Sequence, residues 1–223
     1  MKKVLVLVEG QTEEAFVKNV LDPQFHSRGL CFVPTLVVTK RVKSGPNFKG
    51  GITSWDSVAG DLRRLFRDTS AAAVTTMLDY YGLPSDFPGM TSRPAGAPTL
   101  RAEHVETAMA TALNHSQFIP YLSLHEFEAL VFASLDHAGW VFNNDPKVLA
   151  TLSQQLSQVV TAEDINEQPA TTPARRITNA FPSYQKVLHG PMAVEASSKH
   201  SSGREGCPIP WACRRSSSWA GRT

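Results

Sequence analysis

The feature that most constrains the fold is a run of valine and leucine near the start of the chain, followed at once by an acid and a glycine. Residues 4–8 read Val-Leu-Val-Leu-Val, and Glu9 and Gly10 follow. A continuous apolar run of this length is typical of a strand that is buried on both faces of a parallel sheet. Apolar residues then recur at helical spacing over residues 12–21. The beginning of the chain therefore predicts a strand that leads into a helix.

Predicted strands and helices continue to alternate along the rest of the chain. Strands are predicted over residues 4–8, 31–38, 71–78 and 118–124, and helices over residues 12–21, 55–67, 100–113, 126–133 and 146–160. Pro34 indicates an irregular or edge position for the second strand, because proline has no N–H to give to a ladder. Strands that alternate with helices predict an α/β fold, with a mainly parallel, Rossmann-like sheet of four strands flanked by helices.

Composition divides the chain into three parts. We expect an α/β domain over residues 1–143 and a helical extension packed on it over residues 144–196. Residues 197–223 carry five basic residues and one acid, and Ile209 is their only branched aliphatic residue. Such a segment cannot bury enough apolar surface to order itself, so we expect it to be disordered.

The global properties are those of an ordinary globular protein. The 223 residues are 42% hydrophobic and 19% charged, with a formal net charge of +2. The apolar run at residues 4–8 is too short for a signal peptide, and no run is long enough to span a bilayer. Three unevenly spaced cysteines do not suggest a disulfide framework. We therefore expect a cytoplasmic protein that does not associate with membranes.

Acidic residues follow three of the predicted strands. Glu9 follows the first, Asp79 ends the third, and Glu126 and Glu128 come after the fourth. Because the carboxyl ends of parallel strands meet at one edge, where open α/β sheets bind ligands, we expect these acids to gather there. Mg²⁺ relieves the repulsion between crowded carboxylates and polarises phosphoryl groups. The pattern predicts a site for Mg²⁺ or Mn²⁺.

Each acid also has a structural interpretation. Glu13 and Glu14 lie in a first helical turn, where the helix dipole favours acids. Asp79 is also suited to a turn or a helix cap. Glu126 and Glu128 are two positions apart, so both can face one ion only if the chain is extended there. Glu9 has the least structural reason to follow an apolar strand.

Three stretches together resemble the Toprim superfamily. They are Val8-Glu9-Gly10-Gln11-Thr12-Glu13, Asp79-Tyr80-Tyr81-Gly82 and His125-Glu126-Phe127-Glu128-Ala129-Leu130. The likeness is greater to a small bacterial Toprim-like family, formerly of unknown function, that is partnered with AAA-type ATPases in AbiL-like abortive-infection loci. It extends from Met1 to about Ala196. The resemblance implies a further apolar helix after that point, so the serine- and arginine-rich tail of this chain resembles a frameshifted reading.

The resemblance implies a metal-dependent nuclease of DNA or RNA that acts in phage defence with an ATPase partner. The resemblance assigns the general acid/base or a metal ligand to Glu9, and further metal ligands to Asp79 and one or both of Glu126 and Glu128. We predict Glu9, Glu13, Asp79 and Glu128 as the catalytic residues. The Asp-x-Asp of Toprim domains reads Asp79-Tyr80-Tyr81 here, so the second acid is missing. A non-catalytic binding or regulatory subunit with the Toprim shape is the alternative.

Two groups of basic residues are candidate contacts for nucleic-acid phosphates. The first comprises Lys40, Arg41, Lys43 and Lys49, in a glycine-containing loop. The second comprises Arg175, Arg176 and Lys186, of which we take Lys186 as the contact. The alternative for both groups is a solvated surface.

Overall fold

A computed structural model describes residues 1–38, 51–159 and 172–201, with side chains up to residue 198. Five strands lie in one sheet: β1 (Lys2–Val8), β2 (Leu30–Leu36), β3 (Ala71–Asp79), β4 (Phe118–Ile119) and β5 (Leu122–Ser123). The eight α-helices of the described ranges are α1 (Gln11–Phe16), α2 (Asp22–His26), α3 (Trp55–Leu65), α4 (Pro98–Leu113), α5 (Glu128–Ala133), α6 (Pro146–Leu156), α7 (Pro173–Ala180) and α8 (Lys186–Ser201). A π-helical turn, Val17–Leu21, joins α1 to α2.

All strand pairings are parallel, in the order β2-β1-β3-β4, and β5 also pairs with β3. The expected α/β class, the mainly parallel sheet, the flanking helices and the helical C-terminal region are confirmed. Strand β2 lies at an edge, as Pro34 predicted. The chain first places β2 on one side of β1 and then crosses to place β3 on the other. The sheet therefore has a topological switch point between β1 and β3, where such folds bind ligands.

The apolar run of β1 is buried on both faces. Val4, Val6 and Val8 belong to one hydrophobic cluster, together with residues of α1, α5, α6, α7 and α8. Leu5 and Leu7 belong to a second cluster, with residues of α3 and α4. The helices of the C-terminal extension therefore share a core with the sheet.

The fourth predicted strand is interrupted. We expected one strand over residues 118–124, but β4 and β5 are separated at Pro120. Proline cannot donate to the ladder, and a side chain replaces the missing backbone pairing. The hydroxyl of Thr76 accepts from the Tyr121 N–H at 2.9 Å and donates to the Tyr121 carbonyl at 2.7 Å.

The chain beyond residue 196 begins as helix. Helix α8 extends through Ser201, five residues into the segment for which we expected disorder. Residues 202–223 lie outside the described ranges. In the part of the chain that the structure describes, no helix has the length and apolarity needed to cross a membrane.

Candidate functional site

Glu9 and Asp79 meet at the switch point of the sheet. Val8, the last residue of β1, pairs with Met77 of β3, and Asp79 ends β3. The two acids therefore follow adjacent strands at the same edge. The backbone N–H of Asp79 donates to Glu9 Oε2 at 3.2 Å. The expectation that strand ends bring these two acids together is confirmed.

A second loop also holds the Glu9 carboxylate. The backbone N–H of Ile52 donates to it, and a Cβ on Gly51 would lie only 2.9 Å from Glu9 Oε1. Burial raises the pKa of Glu9, although these backbone donors and the ammonium of Lys186 act in the opposite direction. The carboxylate is thus fixed in position but destabilised in its charged form.

Glu13 faces the same pocket and Glu14 does not. Glu13 is buried in the first turn of α1 and lines the pocket, where burial raises the pKa of its carboxyl group. Glu14 instead forms an ion pair with Lys18 at 2.6 Å, one helical turn along. Glu13 is therefore close to the site, whereas Glu14 has the structural role that first-turn acids often have.

The charged form of the Asp79 carboxyl group is opposed both by burial and by two neighbouring carboxylates. Its pKa is raised well above the ordinary value, first by burial and then by repulsion from the carboxylates of Glu9 and Glu13. The ammonium of Lys186 opposes this effect. A buried carboxyl among like charges is stabilised either by a proton or by a cation.

Lys186 supplies a cation from within the chain. It begins α8, lines the pocket, and places Nζ 3.1 Å from Glu128 Oε2. Burial opposes the charged form, but the carboxylates of Glu128, Asp79 and Glu13 raise the pKa of Lys186 overall. The ammonium therefore stays charged and offsets part of the negative charge of the site.

Glu126 and Glu128 are engaged beside the pocket rather than on its lining. The Glu128 side chain is completely buried and paired with Lys186. Its carboxylate also adds to the effect of burial in raising the pKa of the Tyr184 hydroxyl. Glu126 Oε2 accepts from the backbone N–H of Ala174, in the first turn of α7, at 3.2 Å. Of the five predicted acids, Glu9, Glu13 and Asp79 thus line the pocket. Glu128 pairs with the lining residue Lys186, and Glu126 binds the first turn of α7.

The pocket has a volume of about 400 Å³, which is within the range of small-ligand sites. Its polar side consists of the three acids, Lys186 and the start of α1. The remainder is formed by Leu36 at the end of β2, by Val37 and Gly51, and by Val187 of α8. The lining comprises Glu9, Gly10, Gln11, Thr12, Glu13, Leu36, Val37, Gly51, Asp79, Lys186 and Val187.

The acids suit a hard cation, but only with further ligands. Among the described residues, no three His, Cys, Asp or Glu side chains form a group that could hold a metal ion. Mg²⁺ commonly takes one or two carboxylates and completes its octahedron with waters and phosphate oxygens. Glu9 and Asp79, joined by a hydrogen bond and adjoining the pocket, fit this smaller ligand set.

The first basic group lies outside the described residues; it comprises Lys40, Arg41, Lys43 and Lys49. Val37 before this segment and Gly51 after it both line the pocket. The prediction that these four residues contact nucleic acid remains a prediction.

Two features of the site were not found from sequence. Lys186 was expected to contact nucleic acid, but its pairing with Glu128 was not foreseen. The role of Gly51 in leaving room for Glu9 was missed as well. Gly50-Gly51 after a basic stretch was a signal of close approach, since glycine often marks a place where other groups come near the backbone.

Replacement of Gly51 by alanine tests the placement of Glu9. The added Cβ would lie 2.9 Å from Glu9 Oε1, so the end of the Glu9 side chain must shift. Because only a flexible side chain moves, we expect the thermal unfolding midpoint to stay near that of the wild type. Divalent-metal affinity, measured by calorimetric titration, should fall. Gly60→Ala is the control, since its Cβ would meet no atom closer than 3.8 Å; equal metal affinity in both variants would contradict the placement.

Replacement of Lys186 by methionine tests the ion pair. The change leaves the Glu128 carboxylate buried without its cation, although Lys186 itself is 41% exposed and so partly screened. We expect a loss of about 1–3 kcal/mol in the free energy of unfolding, measured with urea. Adding Glu128→Gln to this variant should restore most of the lost free energy of unfolding. A double variant no more stable than the single one would show that the pair is not coupled.

Residues 8–208 match a protein family described as a domain of unknown function (DUF4276). The match covers most of the chain. No match to the chain is found among the curated proteins or among the solved structures.

Proposed function

This chain belongs to the DUF4276 family, and because that family's description assigns no activity, we propose one from the site: divalent-metal-dependent cleavage of nucleic-acid phosphodiester bonds. The observation that carries the proposal is the pair of acids at the switch point. Glu9 and Asp79 follow adjacent parallel strands and are joined through the Asp79 N–H at 3.2 Å. Carboxylates at this place in an α/β sheet are suited to a hard cation and a phosphate group.

Glu9 and Asp79 would hold the cation, Mg²⁺ or Mn²⁺. When bound, the ion supplies charge stabilisation at a phosphoryl oxygen and lowers the pKa of a bound water. Glu13 lies in the same pocket and is available to accept a proton from the attacking water. Lys186 presents an ammonium to the same pocket, where it would pair with a phosphate oxygen of the substrate. Glu128, paired with Lys186, would keep that ammonium in position.

The smaller ligand set favours a single metal ion. In Toprim domains the second acid of the Asp-x-Asp motif lies two residues after the first, and here that residue is Tyr81. Glu126 and Glu128, the other acids of the resemblance, are engaged with Ala174 and Lys186. We therefore propose metal ligation by Glu9 and Asp79, with the remaining positions filled by water and substrate.

A second candidate function is a non-catalytic subunit that keeps the Toprim shape. The observation that favours it is Lys186, whose ammonium already offsets part of the charge that a metal ion would neutralise. Calorimetric titration with Mg²⁺ tests the first function, because a catalytic site must bind the ion in the pocket. A protein that binds no Mg²⁺ would leave only the non-catalytic function.

The biological setting is proposed from the resemblance alone. Toprim-like proteins of this kind are implied to act in anti-phage defence with an AAA-type ATPase, and we extend that role to this chain. The chain has no Gly-x-x-x-x-Gly-Lys-Ser/Thr phosphate loop, so the ATP chemistry would belong to the partner.

The proposed activity is tested with purified protein and labelled DNA and RNA. Strand cleavage should appear with Mg²⁺ or Mn²⁺ and stop when the ions are chelated with EDTA. The ATPase-free protein is assayed at several protein concentrations, and products are separated by gel electrophoresis. Cleavage that persists in EDTA would contradict the metal-dependent mechanism, and metal binding without cleavage of either polymer would favour the non-catalytic subunit.

A further inference from the structure

We propose that Tyr184 is a positioning residue: its buried hydroxyl donates to the Glu128 carboxylate and so fixes the anion that holds the Lys186 ammonium at the pocket. This inference rests on the proposed function, because Lys186 is the side chain that would pair with the substrate phosphate. It also gives a role to residues 181–186, the Phe-Pro-Ser-Tyr-Gln-Lys stretch that leads into α8.

The Glu128 carboxylate is buried with too few partners. Its side chain has no exposed surface, and Lys186 Nζ lies 3.1 Å from Oε2. Among the described residues, neither carboxylate oxygen has a hydrogen-bond partner of good geometry beyond this ion pair. A buried ion pair is stable only when further hydrogen bonds satisfy the remaining lone pairs. Glu128 therefore requires a second donor.

The Tyr184 hydroxyl is suited to be that donor. It is buried, and within the described ranges it has no hydrogen-bond partner of good geometry. The nearby Glu128 carboxylate raises the pKa of the hydroxyl, in addition to the larger effect of burial. A tyrosine hydroxyl can turn its proton towards an acceptor. Because buried polar groups are almost always paired, a donor and an acceptor that lie together without other partners are expected to bond.

The aromatic ring of Tyr184 is held in place by packing. It belongs to the hydrophobic cluster that covers one face of β1. The ring of His189, in the first turn of α8, lies beside it with a centroid separation of 5.7 Å. The Nδ1 atom of His189 accepts from the backbone N–H of Gln185 at 2.9 Å, which orients the imidazole. The hydroxyl is therefore presented to Glu128 by a ring with little freedom to move.

Gly190 leaves the room that this hydroxyl needs. A Cβ at that position would lie 3.3 Å from the Tyr184 hydroxyl oxygen and 3.1 Å from the ring of Phe127. Phe127 directly precedes Glu128 in the chain. A side chain at position 190 would therefore press on the donor and on the neighbour of its acceptor. Glycine at this position permits the close approach of Tyr184 and Glu128.

Tyr184 and Lys186 reach Glu128 from one short stretch of chain. Lys186 begins α8, and Tyr184 comes two residues earlier, before the helix. Residues two apart in a helix point to different faces, but this limit does not apply ahead of the helix. A carboxylate held by both side chains is fixed at two points, whereas one held by Lys186 alone can turn about its last bond. Loss of the Tyr184 hydroxyl should therefore loosen Lys186.

Replacement of Tyr184 by phenylalanine tests this hold on Lys186 without metal or nucleic acid. The change removes the hydroxyl and keeps the packed ring. The whole chain is labelled with trace acetic anhydride in EDTA, and the modified lysines are quantified by mass spectrometry against the exposed Lys147. Lys186 should react about 3- to 10-fold faster in Tyr184→Phe than in the wild type, up to the factor that a hydrogen bond to a charged group contributes.

Tyr80→Phe is the matched control for the labelling. Tyr80 is also buried, and its hydroxyl accepts from Arg93 at 3.1 Å. It belongs to the second hydrophobic cluster, with residues of α3 and α4. Loss of this hydroxyl should leave the labelling rate of Lys186 unchanged.

Cleavage kinetics test whether Tyr184 acts through Lys186. In Tyr184→Phe the kcat for cleavage should fall by about 10- to 100-fold, because a small misplacement of a positioned group is costly in the transition state. The change in KM should be smaller. Adding Tyr184→Phe to Lys186→Met should cause no further loss of kcat, since the group that Tyr184 positions is already absent.

The failure of this inference differs from the failure of the proposed function. An unchanged labelling rate of Lys186 in Tyr184→Phe, or an equal rise in Tyr80→Phe, would overturn the positioning role whether or not the protein cleaves nucleic acid. A further loss of kcat in the double variant would also overturn it. Faster labelling of Lys186 in Tyr184→Phe, in a protein that cleaves neither DNA nor RNA, would support the hold on Lys186 and reject the proposed activity.

Discussion

Replacing Glu9 by glutamine should reduce metal-dependent cleavage by about 10²- to 10⁴-fold, the range for loss of a group that takes part in proton transfer or charge stabilisation. Glutamine keeps the size of the side chain and one acceptor oxygen, which the Asp79 N–H can still use. It removes the negative charge that a cation requires. The measurement is the initial rate of cleavage at saturating Mg²⁺, with labelled DNA and RNA.

The fold should survive this substitution. Burial raises the pKa of Glu9, so the charged carboxylate is a source of instability that glutamine removes. The matched control is Glu14→Gln, since Glu14 lies in α1, the helix that follows Glu9, but pairs with Lys18 and does not line the pocket. Full cleavage by the Glu9 variant, or an equal loss in the Glu14 variant, would reject Glu9 as part of the machinery.

Replacing Asp79 by asparagine should have opposite effects on metal binding and on the stability of the metal-free protein. Loss of a direct carboxylate ligand should weaken Mg²⁺ or Mn²⁺ binding by more than about 100-fold, beyond the loss typical of outer-shell partners. The same change removes a partly buried charge that lies among the carboxylates of Glu9 and Glu13. The metal-free variant should therefore unfold at a higher temperature than the wild type near neutral pH.

The pH dependence of folding stability shows in which direction these carboxyl groups act. The pKa values of Glu9, Glu13, Asp79 and Glu128 are all raised in the folded protein, with burial as the first cause, while Lys186 opposes the shift in each. The folded state thus holds protons that the unfolded state releases at about pH 4. Stability from these groups is fully present below that pH and is lost as the pH rises through the raised folded values.

The measurement is the thermal unfolding midpoint from acid to alkaline pH in the presence of a chelator. The wild-type unfolding midpoint should decline as the pH rises above about 4, the pKa of carboxyl groups in the unfolded chain. The decline should be shallower in Asp79→Asn, which has one such group fewer. Mg²⁺ at a concentration that saturates the wild type should raise the wild-type midpoint at neutral pH and raise that of the variant much less. A metal-free Asp79 variant less stable than the wild type at neutral pH would contradict the electrostatic account.

The parts of the fold that follow from local pattern were predictable. The apolar run at residues 4–8 gave a strand buried on both faces, and the acids after β1 and β3 were expected to meet because the strands are parallel. Pro120 lies inside an apolar run that predicted one strand. The run alone did not show that the strand would break there and that Thr76 would bridge the gap.

The parts of the site that depend on distant contacts were not predictable. Glu13 and Glu14 are adjacent acids in one helical turn, and only the packing of α1 decides that Glu13 is buried while Glu14 pairs with Lys18. Lys186 and Glu128 lie on different helices, α8 and α5, so no spacing rule connects them. Such pairs are determined by tertiary packing, which a single sequence does not display.

The most direct test of the central claim is a crystal structure of the protein soaked in Mn²⁺, located by its anomalous scattering. We expect one ion in the pocket, with carboxylate oxygens of both Glu9 and Asp79 at about 2.0–2.6 Å, the range for hard cations with oxygen ligands. Lys186 should remain paired with Glu128. A pocket that holds no ion at saturating Mn²⁺, or an ion bound by neither Glu9 nor Asp79, would contradict the account.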